Sequence, residues 1–378
     1  MPEGALKPLE DAISHRLIPR LTDQPPPNEH IRELLALPAR LGGLALVHPA
    51  TIAAQNCSSK RLCEPLIRLI IKQTGNAQAV QQLQKTIKQR IHSERRRDLS
   101  AYAKEVIERL PVDVQRCALA AQERGTSSWL TALPIAQHGF PLTRADFRDA
   151  IALRYGWPVS GIPQTCACGQ PFTVSHALIC RCGGYIGHRH DQLRDLTATL
   201  LQEVCINVAV EPQLQPLRGL ELGRSANTDD GARLDIRATG FWNGAQDAFF
   251  DLRVFYPFAS SYQNSRLPAL YKQHETRKRT EYGRRVREIE GGSFTPLVFT
   301  TGGGMAGEAT IFYKRLASLL SEKRDEPYSV TMGWLRCVIS ISLLRSSIRC
   351  IRGTRKRLNS IPTDNFSVAS VDSHLLIK

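Results

Sequence analysis

The chain has 378 residues, is 42% hydrophobic and carries a formal net charge of +15. That is enough apolar content for a buried core in two or three domains, and a charge that speaks for a polyanionic partner, because neutralising phosphates releases condensed counterions. The most apolar run near the C-terminus, 337–344, is bounded by Arg336 and Arg345 and falls far short of the roughly 20 residues that span a bilayer, so no membrane partner is expected. Ten cysteines at irregular spacing, with no signal peptide, read as free thiols and not as a disulfide framework. Together with the basic charge they favour a reducing compartment, nuclear or cytoplasmic.

Residues 1–50 form a Pro-rich segment that breaks into LPARLGGLALVHPA, an apolar stretch bent by Gly42 and Gly43 that reads as a packed turn between helices. From 51 to 160 the pattern is helical, with Leu66, Ile67, Ile70 and Ile71 at three- and four-residue spacing. The run 85–97 (KTIKQRIHSERRR) adds a basic face. Such runs are ordinarily solvated helix surface, and here the overall basicity tilts this one toward a nucleic-acid backbone contact. SSWLTALPIAQHGFPLT, with Pro134, Gly139 and Pro141, reads as a surface connector.

Residues 161–188 hold the densest chemistry. Cys166 and Cys168 make a C-x-C pair, His176 and Cys180 follow at helical i, i+4 spacing, and Cys182 closes a second C-x-C. Zinc takes four soft or borderline donors as a tetrahedron, and a short loop closed by a turn of helix delivers them, so Cys166, Cys168, His176 and Cys180 are the expected ligands. Cys182, His188 and His190 remain alternatives for the last position. A cluster of buried free thiols would explain the cysteines but not the histidine and glycines between them. The loop 161–182 is short, glycine-bearing and poor in large apolar residues, so the metal is expected to be its only source of order.

From 189 to 325 the pattern changes class. Residues 189–205 have helical spacing (Leu193, Leu196, Leu200, Leu201, Val204), INVAVEP alternates as a strand ending at Glu211-Pro212, and ARLDIRA and AFFDLRVFYP are two more strands joined across Asn243-Gly244 as a hairpin. A charged helix over 266–290, the strand FTPLVFTT, and a glycine turn into a last helix complete the order helix, three strands, helix, strand, helix. A basic and apolar helix over 326–357 and a disordered tail over 358–378 follow. The run 352–357 (RGTRKR) is a weak import signal or a solvated helix end.

Asp235 and Asp251 fall on neighbouring strands of the hairpin. A carboxylate pair so placed can hold magnesium or manganese, which activates water and neutralises charge building on a phosphodiester. Arg253, two residues on and therefore on the same strand face, could stabilise the transition state. Glu203 or Glu211 could supply a third carboxylate. The plainer alternative is a surface cross-strand ion pair.

This order resembles the restriction-endonuclease-like, PD-(D/E)XK fold. More closely, Cys166, Cys168, His176 and Cys180, then Arg189-His190-Asp191, Glu211-Pro212, Leu234-Asp235-Ile236, Asp251-Leu252-Arg253-Val254 and Lys278 with Tyr282 resemble the C-terminal region of site-specific non-LTR retrotransposon polyproteins. In those, a CCHC zinc knuckle precedes a restriction-like endonuclease. LPARLGGLALVHP is similar to the linker after their polymerase, while the reverse-transcriptase domain is missing: Asp229-Asp230 lies in the polar turn NTDDGAR.

The resemblance implies an α+β chain in which a helical region and the knuckle precede the nuclease core. It also implies structural zinc, catalytic magnesium or manganese at Asp235 and Asp251, and hydrolytic nicking of DNA that leaves a 3′-hydroxyl. Arg253 and Lys278 would be catalytic, and Arg189, His190, Lys272 and Tyr282 would contact nucleic acid, DNA first and RNA second. Leu234 stands where the family has proline, and Arg253 where the wider fold has lysine; arginine cannot act as a base. A required lysine would then come from the following helix, Lys278 rather than Lys272, since six-residue spacing separates their faces. Arg189 and His190 would bind the scissile phosphate or orient the knuckle. The alternatives are a zinc-knuckle nucleic-acid-binding protein whose cleavage has decayed, and an interaction protein whose charge serves solubility.

Overall fold

The computed structural model describes residues 4–355 apart from 73–75, 218, 220–222 and 224; the tail 358–378 lies outside the described residues. The chain divides into two compact units, Met1–Gln122 and Glu123–Lys378.

The first unit is helical: α1 (Lys7–Ala12), α2 (Ile18–Thr22), α3 (Glu29–Ala36), α4 (Pro49–Ile71), α5 (Ala77–Glu108) and α6 (Val112–Ala121). Arg32 on α3 is buried and reaches Glu10 Oε1 at 2.6 Å and Oε2 at 2.9 Å, with its other amino group on the Leu46 carbonyl. The expected Gly-Gly turn is present. A Cβ on Gly43 would stand 1.9 Å from the Leu37 carbonyl oxygen, so only glycine lets the two backbones meet there. Helices α4 and α5 pack as a hairpin, and Lys85, Lys88, His92, Arg96 and Arg97 of the basic run are exposed on α5.

The second unit is α+β. It comprises α7 (Ser128–Thr131), α8 (Arg144–Tyr155), α9 (Val174–Ile179), α10 (Tyr185–Gln202), β1 (Ile206–Val210), β2 (Ile236–Thr239), β3 (Asp247–Phe255), α11 (Leu267–Lys278), β4 (Ser293–Thr300), α12 (Gly307–Arg324) and α13 (Tyr328–Arg352). Its small mixed sheet has the order β1-β2-β3-β4, antiparallel between the first three strands and parallel between β3 and β4. The parallel step requires a crossover, which α11 supplies. β3 and β4 are buried almost throughout, as strands covered on both faces must be. Phe241, Phe250 and Phe312 pack edge-on and stacked at the centre, and α12 and α13 cover the sheet and α10 with Leu316, Leu320, Leu335 and Ile339.

The hairpin forms as the sequence implies, in the register Ile236↔Phe250 to Thr239↔Asp247. The charged helix over 266–290 does not run regularly. α11 ends at Lys278, and wider π turns follow at Arg279–Gly283 and Val286–Glu290. Arg285 in that stretch is fully buried and donates to the carbonyls of Gln215, Asn227 and Asp229, so it holds down the polar turn before β2. The two described basic residues of the C-terminal run make protein contacts: Arg352, although exposed, pairs with Asp149 at 2.6 Å, and Arg355 is 8% exposed. Residues 356 and 357 of that run lie outside the described residues. No helix among the described residues is long and apolar enough to cross a membrane.

Candidate functional site: a Cys-His knuckle beside an acidic centre

The knuckle begins in a tight turn. Thr165 pairs with Pro171, the Cys166 amide donates to Gln170, and Gly169, at φ +86°, donates back to Cys166. Thr173 then caps α9 by accepting from the His176 amide, which aims His176 and Cys180 back at the turn. The donor atoms of Cys166, Cys168, His176 and Cys180 all lie within 4.8 Å of one another, a set that could hold a metal ion such as zinc. Cys168 Sγ is 3.4 Å from His176 Nε2, and Cys180 Sγ is 3.9 Å from both Cys166 and Cys168. Burial opposes the Cys166 thiolate, yet hydrogen bonds from the Cys168 backbone, His176 and the neighbouring thiols bring its pKa down to about 6. Cys182 is outside the group and packs among apolar residues; His188 faces Arg349, and His190 lies elsewhere.

A metal would not be the loop's only source of order. Phe172 and Ala177 are buried with Ala152, Val159 and Ile351, and Trp157 and Val174 pack against them. Arg355 completes the seat. Its guanidinium donates to the Ala177 and Cys182 carbonyls at 2.8 Å and to Cys350, and it lies over the rings of Phe172 and Tyr185. The Tyr185 hydroxyl donates to the Thr354 carbonyl, and a Cβ on Gly353 would be 2.2 Å from the Tyr185 ring.

Neighbouring residues on α10 serve two different centres. Arg189 is buried and donates to the Leu178 carbonyl of the knuckle, so it is not open to a phosphate; orienting the knuckle is what its contacts do. The next side chain, about 100° round the helix, is His190, whose Nε2 lies 3.1 Å from Asp235 Oδ2 and whose Nδ1 lies 3.3 Å from Asp191 Oδ1.

Asp235 stands one residue before β2, where the hairpin register continued places it opposite Asp251. Its Oδ2 also accepts from the Leu252 amide. Asp251 in β3 is 6% exposed and pairs with Lys278 Nζ at 2.6 Å. Burial pushes the Asp251 carboxyl up to about 6, Lys278 pulls it back, and the Asp235 charge adds to the rise. Burial alone would lower the Lys278 pKa, but Asp251 outweighs it and raises it. His190 is opposed by burial in the same way, and Asp235 and Asp191 lift it to about 9.

The other sequence candidates fall around this centre. Arg253 is exposed, on the same strand face as Asp251, and has no ion pair among the described residues. Its charge, with those of Arg277 and Lys278, adds to burial in lowering His274 to about 4. Lys272 is exposed on another face of α11. Tyr282 is buried with its hydroxyl accepting from Asn227, and its ring supports Lys278 Nζ at 5.5 Å, so it is not a platform for a base. Neither spare glutamate joins the pair: Glu203 is bound by Arg324, and the Glu211 carboxylate by Arg194, although the Glu211 amide donates to the Asp235 carbonyl. The sequence reading missed the contact of His190 with Asp235, the Asp191–Arg194 pair behind it and the seating of Arg355. The Arg-His-Asp triplet was the available signal for the first.

No protein-family model matches the chain, and no curated protein matches it in sequence.

Proposed function

We propose that the protein is a cation-dependent DNA endonuclease of the restriction-like type, with a zinc knuckle fixed beside its active centre. The observation that carries this reading is the placement of Asp251, buried, beside Lys278 and opposite Asp235. The Asp235 charge adds to burial in raising the pKa of Asp251, and a buried carboxylate so placed favours a cation that both aspartates can share. The donor set of hard oxygens suits magnesium or manganese, and the sulfur-rich knuckle suits zinc. The element order and the mixed sheet agree with the restriction-like core that the sequence resembles.

When bound, magnesium would supply charge neutralisation and a nucleophilic water for attack on phosphorus. The chain's own residues do the rest. Asp235 and Asp251 present the ligand oxygens. Lys278 faces the non-bridging oxygens of the scissile phosphate, and Arg253, exposed beside the centre, meets the flanking backbone. The leaving 3′-oxygen departs as a hydroxyl. Supercoiled plasmid incubated with the protein and magnesium should be nicked, Asp251→Ala should abolish nicking, and equal nicking by both would sink the reading.

A decayed, binding-only protein is the second reading, motivated by arginine at position 253 where the wider fold has lysine. It is distinguished by binding that falls steeply with salt while no cation-dependent nick forms.

A further inference from the structure

We infer that His190 is the positioning residue of the acidic centre, holding the Asp235 carboxylate in the orientation that shares a cation with Asp251. The inference rests on the cation-dependent reading above. Asp235 stands one residue before β2 with its backbone held by the Glu211 amide, but the terminal torsion of an aspartate is soft and leaves the carboxylate plane to its hydrogen-bond donors. One donor, the Leu252 amide, would leave it free to pivot about that contact. The second donor, His190 Nε2 at 3.1 Å, meets the same Oδ2 and fixes the plane. Oδ2 is thereby committed to the protein, and among the described residues no hydrogen bond reaches Oδ1, the oxygen left for a ligand. His190 is itself held: its Nδ1 is 3.3 Å from Asp191 Oδ1, Arg194 sits 3.2 Å behind that oxygen, and Arg189 ties the same turn of α10 to the knuckle. This is the arrangement by which an outer residue orients a metal-binding carboxylate, and its loss costs on the order of 10–100-fold in metal affinity.

The test separates the hydrogen bond from the charge by comparing His190→Gln with His190→Leu in the full chain. Both substitutions remove the imidazole charge; only glutamine can donate from the place of Nε2. Manganese(II) binding is followed by the loss of the free-ion electron paramagnetic resonance signal, with Asp251→Asn as the blank for this centre and zinc content and thermal melting as controls of folding. The expected result is that His190→Gln binds manganese at least roughly tenfold more tightly than His190→Leu, both keeping their zinc and their melt. Equal affinity in the two variants, in a protein whose wild type binds above the blank, overturns the inference and leaves the nuclease reading standing. A wild type no better than the blank overturns both. If His190→Leu loses its zinc or its cooperative melt, Asp191→Ala, which frees the far side of the ring, replaces it: weaker manganese binding supports the inference, and unchanged affinity contradicts it.

Discussion

Lys278 Nζ lies 2.6 Å from Asp251 Oδ2, joining the last turn of α11 to the middle of β3 across a site where the carboxylate is almost fully buried. Lys278 offsets the burial that pushes Asp251 up, so Lys278→Ala should carry Asp251 above about 6 and leave it increasingly protonated at neutral pH. Single-turnover nicking should fall by about a hundredfold or more, as when a charge-stabilising donor is removed. Duplex binding measured without a divalent ion should change little, because one phosphate contact among several is lost.

The imidazole of His190 gives a pH signature with a definite sign. Its folded pKa is about 9 against the ordinary 6.5, so it contributes stability that is fully present below pH 6.5 and is lost as the pH rises through 9. The melting temperature of the wild type, relative to His190→Gln, should therefore decline between pH 6.5 and 9 and be flat below 6. A difference that grows with pH would mean that Asp235 and Asp191 do not hold the charged ring.

At the knuckle, about one zinc per chain is expected at neutral pH. His176→Ala and Cys168→Ser should lose most of it, whereas Cys182→Ser should keep it, since Cys182 lies outside the ligand group. Chelation should loosen the knuckle without unfolding the unit, because Phe172, Ala177 and Arg355 order it independently of the metal. Zinc content by atomic absorption and amide exchange over 161–182 check this.

Arg355 makes a separate prediction about the chain end. Replacing it by alanine leaves the Ala177, Cys182 and Cys350 carbonyls without their donor and should cost about 2–4 kcal/mol. Gly353→Ala should cost about 1–3 kcal/mol by overpacking against Tyr185. Its φ of −68° is ordinary, so the effect is steric and not conformational. Denaturant melts give both values, and both variants should release zinc faster to a chelator.

The order of elements around Asp235 and Asp251 was legible because period-two alternation and the Asn243-Gly244 turn are local signals, and the hairpin register then brings the two aspartates opposite each other. The four knuckle residues were legible for the same reason, since their spacing is short. Contacts set by tertiary packing were not. Nothing local distinguishes Arg189, buried against the knuckle, from an exposed phosphate-binding arginine, or marks Tyr282 as a buried support for Lys278 instead of a base platform. Arg355 stands far along the chain from the knuckle it seats, so composition made it look solvated. The irregular helix after Lys278 was also hidden, because π turns leave the charged pattern unchanged.

The most direct measurement of the central claim is the chemistry of the cut end. A labelled duplex incubated with the protein and magnesium should yield nicked strands whose new 3′ ends a polymerase extends without prior phosphatase treatment. The same ends should be absent when the chelator is present or when Asp251→Asn replaces the wild type. Extendable ends formed equally by Asp251→Asn, or no ends formed by the wild type at any magnesium or manganese concentration while it still binds the duplex, would contradict the account.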